Sequence, residues 1–176
     1  MFLRPIASLT LLLSPALLTA QVTASAHSAD LKSPNGAVIG KIAVTAAPRG
    51  VLVRIEATGL TPGWHGMHFH EKGDCSDAAF KGAGAHVHAP ASKPVIHGFL
   101  DAAENDAGDL PNLFVNPDGT ATVEFYSTFV RLSAGGDAPS LLDDDGSALV
   151  IHANPDDYHS QPIGGAGARI ACAVIR

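Results

Sequence analysis

From residue 40 onward the chain alternates apolar and polar side chains with a period of two. Residues 40–46 (GKIAVTA) read as a half-buried strand, Pro48-Arg-Gly50 as a turn, and residues 51–57 as the returning strand, with Val51, Val53 and Ile55 on one face. Thr61-Pro-Gly63 breaks the chain before a histidine-rich stretch at 65–70. Strands resume at 113–115 and, past the turn Asn116-Pro-Asp-Gly119, at 121–126. Leu141-Leu-Asp-Asp-Asp-Gly146 turns the chain into a strand at 147–152, and a last strand covers 169–175. Residues 27–35 are polar and are expected to be mobile. Two long segments, 76–112 and 153–167, carry no strand pattern. The sum is about eight short strands in one domain, with no internal repeat. An all-β fold follows, an antiparallel sandwich or flattened barrel with two long functional loops.

Composition supports this. The 176 residues include 18 Gly and 12 Pro, and the net charge of −6 speaks against nucleic-acid binding. The start, Met1-Phe-Leu-Arg4, is weakly basic and is followed by an apolar run to Ala20 and the small-x-small site Ala24-Ser-Ala26. Residues 1–26 therefore read as a signal peptide and 27–176 as the mature domain. A membrane anchor is the alternative, but Pro5 and Pro15 interrupt a run that is already short for a span. Cleavage removes only Arg4 among the charges, leaving 10 basic and 17 acidic residues, net −7. The expected location is periplasmic or secreted, with no membrane attachment after cleavage. Export also favours a disulfide between Cys75 and Cys172, the chain's two cysteines. Such a bridge is worth about 4–5 kcal/mol in the chain-entropy picture.

The candidate chemistry lies in the histidines. On an extended strand His68 and His70 point to one face and His65 to the other. Two imidazoles one pleat apart can converge on one ion, and imidazole suits copper and zinc. The competing reading is a solvated polar edge. Loop 76–112 adds His86, His88 and His97, and a structureless loop this long needs something to order it; a bound metal and the disulfide would both serve. His152, just past Leu149-Val-Ile, is by itself either a core-edge residue bonded to backbone or a ligand.

The stretch His65-Gly-x-His68-x-His70-x-x-Gly73-Asp74-Cys75 resembles the copper-binding strand of copper–zinc superoxide dismutases. Gly108-Asp109-Leu-Pro-Asn112, Leu149-Val-Ile-His152, Asp156-Asp-Tyr-His-Ser-Gln-Pro162 and Gly167-Ala-Arg169-Ile-Ala-Cys172 resemble other motifs of that family, in order. The secreted bacterial branch is the most similar in wording. The resemblance implies a Greek-key β-barrel that dismutates superoxide with copper and zinc as cofactors. It implies copper on His68, His70, His86 and His152, with His86 bridging to zinc, and His97 and Asp109 as further zinc ligands. His86 is preferred to His88 because Gly84-Ala-His86 matches the family's Gly-Gly-His. His65 corresponds to a non-ligand that braces the copper strand, and Asp156 to a carboxylate that orients one copper and one zinc histidine. Arg169 corresponds to the arginine that docks the superoxide anion, and its planar fork of donors suits that task.

One position departs from the family. Three residues before Asp109, where a third zinc histidine is usual, stands Asp106. Either Asp106 completes the zinc site, or His88 does, or zinc binding is lost. The alternatives to a copper–zinc enzyme are accordingly a copper-only dismutase and a copper-binding or delivery protein without turnover. Monomer and homodimer both stay open.

Overall fold

The computed structural model describes residues 24–176. The expected signal peptide, residues 1–26, lies outside the described residues apart from its last three. Among the described residues there are nine strands: β1 (Ala26–Lys32), β2 (Val38–Ala47), β3 (Gly50–Ala57), β4 (Gly63–His65), β5 (Met67–His70), β6 (Leu113–Val115), β7 (Ala121–Ser127), β8 (Ser147–His152) and β9 (Arg169–Ile175). Seven form one antiparallel sheet in the order β5-β8-β9-β1-β2-β3-β7, and β4 pairs with β6. The sheet curls around its apolar face, and its joins between strands distant in sequence, β5 to β8 and β3 to β7, give a Greek-key barrel.

The alternation places residues as expected. Val51, Val53 and Ile55 are buried, whereas Leu52 and Arg54 face out. The inward side chains fill a core that includes Leu31, Ile42, Val44, Phe69, Leu110, Leu149 and Ile151.

The expectation of mobility for residues 27–35 is overturned. Residues 26–32 form β1, which lies between β2 and β9. Its sequence, AHSADLK, offers only Leu31 as a large apolar side chain, so the strand is carried by backbone pairing on both edges rather than by its own hydrophobic pattern. The expected cleavage after Ala26 falls at the first residue of this strand.

β8 is buried along its whole length. Its inward residues Leu149 and Ile151 join the main core. Its outward residues Ala148 and Val150 lie beneath Phe80 and Ala83 of the first long loop, together with Cys172 and Cys75. The loop is thus a lid on the outer face of β8 and β9, closed by the Cys75–Cys172 disulfide and containing only a single 3-10 turn at Lys81–Ala83. Its two arms also cover the free edge of β5. Phe69 N donates to Gly108 O at 2.9 Å, and Val87 N donates to Phe69 O at 2.9 Å.

Candidate metal centre

β5 sits at the end of the seven-stranded sheet, with β8 on one edge and the loop on the other, so side chains from all three meet on one side. His68 and His70 come from β5, His152 from the end of β8, and His86 from the loop, where its backbone bridges to His70. Each is buried, and one nitrogen from each lies within 4.8 Å of all the others. The pleat thus turns a two-residue spacing into a shared site, as expected from the strand pattern.

The free valences of this cluster are specific. His70 Nδ1 is 3.0 Å from Gly84 O, and His152 Nδ1 is 3.0 Å from Gly167 O. His68 Nε2 is 2.8 Å from Asp156 Oδ2, and His86 Nδ1 is 2.8 Å from Asp106 Oδ2. The opposite nitrogens, His68 Nδ1, His70 Nε2, His86 Nε2 and His152 Nε2, are buried with no hydrogen-bond partner. Four orphaned ring nitrogens in one buried place would be costly in an ordinary core. They suit an ion that takes lone pairs. Burial, which opposes charging, and the neighbouring cationic groups push His70 down to about 2 and His152 down to about 3. Burial also lowers His68, although Asp156 opposes it. These rings are therefore neutral at physiological pH, the form that binds metals.

A second cluster adjoins the first through His86. His97 Nδ1 is 2.6 Å from Asp109 Oδ1 and 3.8 Å from Asp106 Oδ2, and His86 Nδ1 is 3.7 Å from Asp109 Oδ1. A set of His68, His86, His97 and Asp109 also converges within 4.8 Å. In that set His68 is the weakest candidate, because Asp156 engages its Nε2. Asp106 Oδ2 lies beside this set, 2.8 Å from His86 Nδ1 and 3.8 Å from His97 Nδ1. Burial works against the charged form of His97, but hydrogen bonds to Asp106, Asp109 and Asp156 override it and push the imidazole up to about 11. His86 is raised for the same reason, against burial, by Asp106 and Asp109. All three carboxyls are held below their usual range: burial opposes this, and the facing imidazoles outweigh it. So much negative charge in one buried place favours a cation.

Of the expected site residues, the structure brings together His68, His70, His86, His152, His97, Asp106, Asp109 and Asp156. It leaves His88 outside: its Nδ1 turns 3.0 Å from His86 O, and its ring stays partly exposed. His65 faces away from the cluster, with Nδ1 2.7 Å from His152 O and Nε2 2.7 Å from Thr61 O. It ties β4 to the end of β8. The space between His65 and Met67 is tight: a Cβ on Gly66 would meet Ala166 Cβ at 3.0 Å.

Arg169, at the start of β9, reaches across to the loop. Nη1 donates to Phe80 O at 2.5 Å and Nη2 to Gly84 O at 2.6 Å. It lines a cavity of about 230 Å³ with Ala85, His86, His88, Val95, Asp106, Pro162 and Ile163. A small anion entering there meets the guanidinium and the His86 ring together.

Three further contributors were not among the expected site residues. The Gly84 carbonyl serves both His70 and Arg169. Asn112 pins the backbone of Asp156, donating to its carbonyl at 2.8 Å and accepting its N–H at 2.9 Å. Gly164, with φ at 58°, lets the second long loop pass so close to Asp156 and His97 that no Cβ would fit. Asn112 and Gly84 had a visible trace, in the quoted stretches Gly108–Asn112 and Gly84-Ala-His86, and Gly164 had none.

A family model described as copper/zinc superoxide dismutase matches residues 38–175. The chain is 56% identical over 149 residues to a Superoxide dismutase [Cu-Zn] of Caulobacter vibrioides, covering 85% of this chain and 84% of that one. Among solved structures, a superoxide-dismutase-like protein from Bacillus subtilis superposes with a TM-score of 0.79 at 35% identity, covering 88% of this chain and 100% of that one. The Cu/Zn superoxide dismutase of Brucella abortus superposes with a TM-score of 0.67 at 27% identity, covering 86% of this chain and 100% of that one.

Proposed function

The chain belongs to the copper/zinc superoxide dismutase family, and from that premise we propose which of its side chains carry the reaction. The enzyme converts superoxide and protons to dioxygen and hydrogen peroxide at a histidine-bound copper beside a zinc. The observation that carries the assignment is the set of four buried, unpartnered imidazole nitrogens.

In this reading His68 Nδ1, His70 Nε2, His86 Nε2 and His152 Nε2 hold copper. His86 Nδ1, His97 Nδ1, Asp106 Oδ2 and Asp109 Oδ1 hold zinc. Bound copper supplies one-electron chemistry, and bound zinc fixes the far nitrogen of the His86 ring. The protein's own groups do the rest. Arg169 docks the anion in the cavity beside His86. His86 Nε2 would hold a proton only in the half-cycle in which its lone pair is not given to the metal, and would release it in the other. Asp156 holds the tautomers of His68 and His97 from behind, so that each presents a lone pair inward.

Arg169→Ala is expected to lower superoxide turnover about tenfold or more and to flatten its dependence on ionic strength, because the chain is otherwise acidic and needs local positive charge at the mouth. Arg169→Lys keeps the charge but not the pair of hydrogen bonds to Phe80 O and Gly84 O, and is expected to fall between. Pulse-radiolysis rates at several salt concentrations read both effects. Wild-type rates in the alanine variant would remove Arg169 from the anion path. Copper storage without turnover is the weaker reading, since storage has no use for a guanidinium in the cavity.

Export to the periplasm or medium is the proposed location, supported by the apolar start of the chain and by the Cys75–Cys172 bridge. No helix of the described residues is long and apolar enough to cross a membrane. For a homodimer, the supporting feature is the exposed aromatic pair Trp64 and Phe114 on β4 and β6, with ring centroids 4.9 Å apart. Light scattering of the wild type and of Trp64→Ser decides whether a second copy packs there.

A further inference from the structure

The two clusters differ in donor chemistry. The first offers four imidazole nitrogens. The second, through Asp106, offers two imidazole nitrogens and two carboxylate oxygens. We propose that Asp106 is a metal-sorting residue: it makes the second site refuse copper(I) and keeps it for a divalent cation such as zinc. This rests on the ligand assignment above and concerns what Asp106 does within it.

The geometry shows that Asp106 is held in place. Its Oδ1 accepts Gly108 N–H at 3.1 Å, which leaves Oδ2 facing His86. Asp109 is built the same way, with Oδ2 accepting Gly98 N–H at 2.7 Å and Oδ1 facing His97. Both residues are 2% exposed, so neither carboxylate can swing out to water. The nitrogen that could have replaced Asp106, on His88, is turned to the His86 carbonyl.

Two physical arguments then point the same way. Copper(I) is soft and takes imidazole and sulfur ligands, whereas zinc is borderline and accepts carboxylates as well as imidazoles. In addition, two buried carboxylates are neutralised by a dication but not by a monocation, and residual buried charge is costly. A site with histidine at position 106 would lose both barriers. It would also share His86 with the first site, so that copper would sit on both nitrogens of one ring.

The test uses the disulfide-bonded mature protein, stripped of metal and titrated anaerobically with copper(I) against a chromophoric copper(I) chelator. The wild type is expected to retain one copper(I) per chain, and Asp106→His two. Preloading with zinc is expected to leave the wild-type number unchanged and to lower that of Asp106→His from two to one. Two copper(I) ions in the wild type, or one in a folded Asp106→His, would overturn the sorting role and leave the four-imidazole assignment standing. No copper(I) retained by the wild type would overturn the assignment itself. The wild-type number alone is decisive should the variant fail to fold, which circular dichroism would show.

Discussion

Asp156→Ala is expected to weaken copper and zinc binding together, by about 10- to 100-fold each, the range seen when a carboxylate behind a metal-binding histidine is removed. The coupling follows from where this side chain sits. Asp156 is buried between the clusters, with Oδ2 2.8 Å from His68 Nε2 and Oδ1 3.1 Å from His97 Nε2. Oδ1 also accepts the Tyr158 N–H at 2.6 Å. Truncation strands two buried imidazole donors, each worth about 1–3 kcal/mol when unpaired, together with the part-buried Tyr158 N–H. It also frees both rings to take the wrong tautomer. Asp156→Asn separates the two effects. The amide keeps the volume and one acceptor, but its NH2 must face one of the two rings. With the carbonyl oxygen kept toward His97 and Tyr158, the NH2 opposes His68 Nε2, and His68 is forced to carry its proton on Nδ1, the nitrogen assigned to copper. Copper affinity is then expected to fall more than zinc affinity. Competition with chelators of known strength reads both metals. Unchanged affinities in Asp156→Ala would mean that the rings are held by packing alone.

Replacing both cysteines, Cys75→Ser with Cys172→Ser, is expected to cost about 4–5 kcal/mol of stability, because the bridge closes 97 residues of chain. A second effect reaches the site. The loop fastened by the bridge supplies Phe80 O and Gly84 O to Arg169, and Gly84 O to His70. Freed of its tether, this segment keeps the packing of Phe80 and Ala83 on Ala148 and Val150 and the backbone hydrogen bonds from Glu71 and Lys72 to Ala85 and Ala83. Turnover is therefore expected to fall along with the denaturant midpoint. Urea unfolding of the metal-free proteins measures the first effect, and turnover of the metal-loaded proteins well below the transition measures the second. A lower midpoint with unchanged turnover would show that these remaining contacts suffice to aim Arg169.

Some of this was legible residue by residue. The period-two pattern located β2, β3 and β7 to within a residue or two, because each buries one face and the pleat writes that face into the sequence, whereas β8 stood out as a short apolar run. The same rule put His68 and His70 on one side and His65 on the other. β1 escaped because its stability comes from strands on either side, and backbone hydrogen bonds leave no trace in side-chain polarity. Export chemistry pointed to the disulfide, and the bridge is present. His86, His97, Asp109 and Asp156 were found through resemblance, since nothing local distinguishes a loop histidine that turns inward from one that faces water.

The sequence by itself determined most of the strands, the paired histidines of β5 and the cysteine bridge, features set by local pattern or by residue type. Only the tertiary structure separates the surroundings of the two donors proposed for the second ion. Asp106 and His88 lie on either side of His97 in the chain, and each had a claim. What separates them is the path of the loop over the edge of β5, which carries Asp106 inward against His86 and turns His88 toward the His86 carbonyl. It also brought the Gly84 carbonyl, the Asn112 clamp and the close pass at Gly164 into the site. Those depend on where distant segments cross, and a crossing is settled by packing of the whole barrel rather than by the residues on either side of it.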